Sequence, residues 1–147
     1  MRRITYMVGA RDFSTLKAEQ FMQNVVSYFR PEETGERLAG AMSEGGFGSV
    51  PILAKDGKVI GIVSEFDLLK AIIEGKDLAK VTAVEIMTKN PVTVTLEALA
   101  LDIIRILQEK HLIRVPVVDA DGQLAGIVAR RDILEGYLRA TKPVRGF

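Results

Sequence analysis

A chain of 147 residues fits one compact domain, and a chain of that size buries roughly 70% of the surface its unfolded form exposes, enough to need no covalent staple. Hydrophobic residues make up 48%, Lys and Arg number 20 against 19 Asp and Glu, and cysteine is absent, which excludes a disulfide framework, thiol chemistry, thiolate-bound metal and a global field that recruits nucleic acid or an anionic membrane. No apolar run approaches the ~18 residues of a membrane span, and Ile4 to Val8 is too short for a signal peptide, so a cytoplasmic protein with no membrane partner is expected.

The elements read as follows in chain order. Residues 1–15 form an N-terminal extension. A first repeat, 16–75, opens with a strand at Val25 to Phe29. A helix follows Pro31, with Leu38, Ala41 and Met42 on its apolar face, and Gly45-Gly46 stops it. Strands Val50 to Leu53 and Val59 to Val63 flank Asp56-Gly57, a hairpin signal. A helix carrying Phe66, Leu69, Ile72 and Ile73 closes the repeat. A polar link, 76–82, holds Lys76, Asp77 and Lys80. The second repeat, 83–140, runs the same course: a strand at Val92 to Thr95, a helix with Leu99, Ile103, Ile106, Leu107 and His111, strands Val115 to Val118 and Leu124 to Val128 around Asp121-Gly122, and a helix with Ile133, Leu134, Tyr137 and Leu138. Residues 141–147 are a tail.

Laying Val50-Pro51 over Val115-Pro116 sets a shift of 65 positions that holds without a gap. It pairs Ala18 with Ala83, Met22 with Met87, Asp56-Gly57 with Asp121-Gly122, Gly61-Ile62-Val63 with Gly126-Ile127-Val128 and Asp67 with Asp132; thirteen identities fall between positions 18 and 75, where composition alone gives roughly three or four. The chain is a duplication of a β-α-β-β-α unit. A sheet of about three strands with helices on one face leaves its other face bare, so the fold class is α/β (α+β), two tandem units packed with pseudo-two-fold symmetry.

The motifs resemble those of the CBS (cystathionine β-synthase-type) domain pair over about Ala18 to Ala140. They are Ile86-Met87-Thr88, Asn90-Pro91-Val92-Thr93-Val94, Arg114-Val115-Pro116-Val117-Val118-Asp119, Gly126-Ile127-Val128 and, in the first copy, Gly61-Ile62-Val63-Ser64-Glu65-Phe66-Asp67. The resemblance implies a disc-like homodimer, adenosine-type ligands in clefts between the copies, and regulation of another protein without chemistry of its own. AMP, ADP and ATP are the expected ligands, S-adenosylmethionine ranks below them, and no cofactor or metal is expected.

Ser64-Glu65-Phe66-Asp67 resembles the family's ribose- and phosphate-holding signature. A helix N-terminus favours an anion, and a carboxylate accepts from ribose hydroxyls. The same letters also spell a capping box, Ser64 at the N-cap and Asp67 three residues on. In the second copy Asp132 persists beside Ala129, which lacks the hydroxyl, and this persistence favours a ligand role. Arg130 and Arg131 occupy the first helical turn there, where the macrodipole disfavours each by ~0.3–1 kcal/mol and a phosphate offsets that cost. Arg114 is either a phosphate ligand or a strand-edge charge.

By the family's crossed geometry, one cleft joins Ser64 and Asp67 to Thr88, Val92, Leu112 and Ile113. The other joins Asp132, Arg131 and Arg114 to Met22, Ser27, Phe47 and Gly48. Repeat one departs from repeat two in having Gln23 and Ser27 for Thr88 and Val92. The basic residues predict that the second cleft prefers a di- or triphosphate.

His111 is the single histidine and completes no metal set, and no phosphate-binding loop or nucleophile-base pair can be assembled, so no enzymatic activity is expected. Two other readings stand beside the nucleotide sensor: a structural dimerisation module with empty clefts, and nucleic-acid binding through the basic ends at Arg2, Arg3, Lys142 and Arg145.

Overall fold

A computed structural model describes residues 12–141. Arg2, Arg3, Lys142 and Arg145, most of the N-terminal extension and all but Thr141 of the tail lie outside the described residues. A 3-10 turn at Phe13–Thr15 leads to six α-helices and six strands: α1 Ala18–Phe21, α2 Gly35–Gly45, β1 Ser49–Leu53, β2 Val59–Ser64, α3 Glu65–Ile73, α4 Ala83–Ile86, β3 Thr88–Lys89, β4 Val94–Thr95, α5 Ala100–Glu109, β5 Arg114–Val118, β6 Leu124–Ala129 and α6 Arg130–Thr141. The fold is mixed α+β with two three-stranded sheets, ordered β1-β2-β3 and β4-β5-β6.

Two compact units form, and their boundaries cut across the repeats. Among the described residues, one takes 12–25, 93–119 and 125–141, and the other 26–92 and 120–124. Each unit therefore borrows the leading segment of the other copy. In the 26–92 unit, β1 and β2 pair antiparallel from Ser49↔Ser64 to Leu53↔Val59, and β2 then pairs with β3 of the second repeat through Gly61↔Lys89 and Ile62↔Thr88. Ala83 of α4 is fully buried in the core of this unit with Leu38, Met42, Val50, Ile52, Val63 and Leu68. The Ala83 N–H donates to Glu33 O and the Gly35 N–H to Val81 O, both at 2.8 Å, which ties the borrowed segment to the start of α2.

The other unit repeats the arrangement one shift along. Gln23 of the first repeat pairs with Ile127 of β6, each N–H donating to the other's carbonyl at 2.9 Å. Ala18 N donates to Ala98 O at 2.8 Å, and Ala100 N to Leu16 O at 2.9 Å. Ala100, Ile103, Leu107, Val115, Val117, Ile127, Val128 and Ile133 form its buried interior.

Local chemistry explains where the elements stop. Thr34 Oγ1 accepts from Arg37 N at 3.3 Å to start α2, and Gly46, at φ 68°, ends it in the left-handed conformation that glycine adopts without steric cost. His111 takes the same conformation, at φ 54°, after α5. Gly57, at φ 89°, turns the first hairpin.

The structure corrects the sequence reading at three points. Val25 to Phe29 is not a strand: only Phe29 pairs, by a single parallel bridge to Ile52, and the counterpart in repeat two is the two-residue β4, pairing Val94 with Val117 and Thr95 with Val118. Pro31 follows two residues after the bridged Phe29, and proline has no N–H to continue a ladder. The short helices α1 and α4 are absent from the sequence reading, because four residues carry too little periodicity to register. The link is also less solvated than its charges suggest, since Val81 is buried and Leu78 packs on the core.

Candidate functional site

The strongest candidate lies at the β2-to-α3 turn. β2 delivers Ser64 at its last position, and α3 begins at the next residue, where the first amides of a helix have no intrahelical acceptor. The capping box forms in full. Ser64 N donates to Asp67 Oδ2 at 2.8 Å, Ser64 Oγ donates to the same oxygen at 3.1 Å, and Asp67 N donates to Ser64 Oγ at 3.2 Å. Asp67 is half-buried, and among the described residues its Oδ1 accepts no hydrogen bond. Glu65 N donates to Gly48 O at 3.0 Å, which draws the Phe47-Gly48 segment to the helix start. Phe47 packs partly buried against the core.

The same turn in the other unit joins β6 to α6, where Arg130 N donates to Ile113 O at 3.1 Å. Asp132 is 6% exposed, and both its oxygens are engaged: Ala129 N donates to Oδ2 at 2.7 Å and Gln23 Nε2 to Oδ1 at 2.9 Å. The persistence of Asp132 beside Ala129 therefore does not by itself argue for a ligand. A capping box has two halves, and the half in which the acid accepts from the N-cap backbone needs no hydroxyl. Arg114, half-buried on β5, feels the Asp132 carboxylate; burial pulls its guanidinium below the ordinary value, and the carboxylate opposes that shift. Arg131 is exposed in the first turn of α6.

The expected site residues divide between the units. Ser64, Asp67, Thr88 and Val92 belong to the 26–92 unit, together with Ser27, Phe47 and Gly48, while Met22, Leu112, Ile113, Arg114, Arg131 and Asp132 belong to the other. Thr88 sits in β3 opposite Ile62, two residues before Ser64, so the exchange of leading segments brings a second-repeat residue beside a first-repeat helix start. Met22 is brought beside β6 in the same way: a Cβ on Gly126 falls 2.6 Å from Met22 Sδ and 2.6 Å from the Gln23 carbonyl oxygen. Within the Asp132 unit, a cavity of about 590 Å³ opens between the end of α5 and the start of α6, lined by Leu107, His111, Leu112, Ile113, Arg130 and Leu134 among others.

Gln23 is the residue of this site that sequence reasoning passes over as a mere departure from Thr88. The signal is present in the letters, since a shift of 65 positions places the two residues in register and only one of them has an amide long enough to reach the acid.

The chain matches the CBS domain family over residues 18–74 and 83–139, both copies in full register with the duplication. It belongs to that family. An uncharacterized protein of Methanopyrus kandleri is 39% identical to this CBS pair over 114 residues, 76% of this chain and 58% of that protein. Arabinose 5-phosphate isomerase KdsD of Pseudomonas aeruginosa is 34% identical over 103 residues, 68% of this chain and 32% of its own length. The CBS pair thus spans less than two thirds of these curated relatives. Among solved structures, CBSX2 in complex with AMP superposes with a TM-score of 0.73 at 26% identity, covering 84% of this chain and 96% of that one. Among the described residues, no helix is long and apolar enough to cross a membrane, and no group of three or more His, Asp or Glu is placed to hold a metal ion.

Proposed function

We propose that this CBS pair binds an adenine nucleotide, AMP, ADP or ATP, and relays its occupancy to a partner protein by a change of shape, acting in the cytoplasm as a homodimer and performing no chemistry. The observation that carries the reading is the Asp67 carboxylate. One oxygen is spent on Ser64 and the other is unspent among the described residues, at the N-terminus of a nine-residue helix. That pairing suits a ribose hydroxyl on the acid and a phosphate toward the helix amides. The AMP bound by CBSX2, a structure of the same fold, supports the same ligand class.

Homodimerisation rests on apolar surface left on α3, where Phe66 is 79% and Ile73 86% exposed. A ligand moves a partner's equilibrium only by its differential affinity for two states, typically ~1–3 kcal/mol, so a modest change suffices for signalling.

The test is a thermal-shift panel of adenine and guanine nucleotides with S-adenosylmethionine, run beside sedimentation of the same sample. A ligand at ~100 times its dissociation constant stabilises by about 2.7 kcal/mol and raises the melting temperature visibly. Adenine nucleotides are expected to stabilise a species of twice the chain mass. Flat melting curves with every ligand leave the structural dimerisation module as the reading, and a 16.1 kDa monomer removes the homodimer.

A further inference from the structure

The duplicated acids differ in one respect that the chain itself imposes. Asp132 is 6% exposed, and Gln23 and Ala129 each take one of its oxygens, at 2.9 and 2.7 Å. Asp67 is half-buried and keeps one oxygen without a hydrogen bond among the described residues. From this contrast we infer that Gln23 closes the second acid to ligand, so that the chain takes one nucleotide, at Asp67, and not two.

This rests on the reading that these acids hold ribose. A ribose diol presents two donors and is gripped best by a carboxylate with an oxygen free to accept. At Asp132 it has to displace the Gln23 amide, itself on an exposed residue, from a carboxylate that is only 6% exposed, and the hydrogen bonds made there are charge-assisted on the acid's side. The amide is not loosely placed. Gln23 is paired by its backbone to Ile127 in both directions, so its side chain starts from a fixed edge of β6. Its counterpart Thr88 holds the same register against Ile62 of β2, but its hydroxyl stops short of where an amide ends and makes no hydrogen bond to Asp67. One residue, at one duplicated position, separates an open carboxylate from a closed one. The arginines around Asp132, whose charge favours a polyphosphate there, do not release its oxygens.

The test is calorimetric titration of the full chain with AMP. The natural protein is expected to bind one AMP per chain. Gln23→Thr, which installs the residue that β3 already carries in this register, is expected to add a second site, and Gln23→Ala provides the same opening if the threonine disturbs folding. Asp67→Asn is expected to weaken the natural site at least about tenfold, the scale of a charged hydrogen bond, and the pair Asp67→Asn with Gln23→Thr should bind one AMP again, now at Asp132. Two equal sites in the natural protein, or a stoichiometry of one in both Gln23 variants, overturns the inference while leaving nucleotide binding intact. No AMP bound by any of these proteins, and no ADP or ATP in the same titrations, overturns the nucleotide reading itself and this inference with it.

Discussion

Asp67, Asp132 and Glu85 each sit three residues after the residue that starts a helix, and each accepts a backbone N–H at that start, from Ser64, Ala129 and Thr82 at 2.8, 2.7 and 2.8 Å. The motif is a local solution to the unpaired amides of a helix end, and it recurs here regardless of ligand. A candidate binding acid needs both an unspent second oxygen and a helix long enough to favour an anion, and the local letters specify neither: Asp67 has one oxygen unspent among the described residues at the start of the nine-residue α3, whereas both oxygens of Asp132 are engaged. Glu85 is the structural case for another reason: one of its oxygens is also unspent among the described residues, but it is exposed and starts a helix of only four residues. Hydrogen bonds from the Thr82 backbone and hydroxyl hold its carboxyl below the usual 4.5. A depressed folded-state value means that the contribution to stability is fully present above 4.5 and is lost as the pH falls through the folded value. Glu85→Gln should therefore flatten the acid arm of the stability curve, with natural and variant proteins converging below pH 4.5 when unfolding is followed by denaturant titration at several pH values. Curves that stay parallel across that range would remove Thr82–Glu85 as an acid-sensitive contact.

At the scale of elements, the decisive pieces are the short ones. α1 and α4 have four residues each and β3 two, lengths at which neither helix nor strand is stable alone. They persist because tertiary contacts supply the missing face: β3 pairs with β2, α4 packs on β2 and α3, and α1 packs on α6. Two equivalent glycines make room for those contacts, and their surroundings differ. A Cβ on Gly61 runs into Met87 Sδ, a flexible side chain that can swing aside, whereas a Cβ on Gly126 meets the Gln23 carbonyl oxygen at 2.6 Å, backbone that is pinned by its pairing with Ile127. Gly126→Ala should cost ~2–3 kcal/mol, the upper range for overpacking, and Gly61→Ala less. Chemical denaturation of the two variants side by side decides it. Equal costs would mean that the carbonyl yields as readily as the thioether.

For the whole molecule, the sequence repeat and the compact unit are different objects. A fragment cut at the repeat, 16–75, keeps α2, β1, β2 and α3 but loses the strand β3 that completes its sheet and the Ala83 that fills its core. A fragment cut at 26–92 keeps all of these. The second is expected to show a cooperative thermal transition by circular dichroism and the first a broad one or none. If 16–75 melts as sharply as 26–92, the exchanged segment contributes little and the repeat is the folding unit after all.

The sequence by itself determined the duplication, the two Asp-Gly hairpins, the long helices and the positions of both helix-start acids. These are written in local letters: β-branched runs, glycine punctuation and apolar spacing that a shift of 65 positions repeats. Only the tertiary structure decided that each copy's leading segment belongs to the other copy's sheet, that Val25 to Phe29 contributes one bridge in place of a strand, and that Gln23 reaches Asp132. The physical reason is range. Gln23 and Asp132 lie 109 positions apart in the chain, and no periodicity, propensity or cap encodes a contact between residues whose meeting depends on how two sheets exchange their edges.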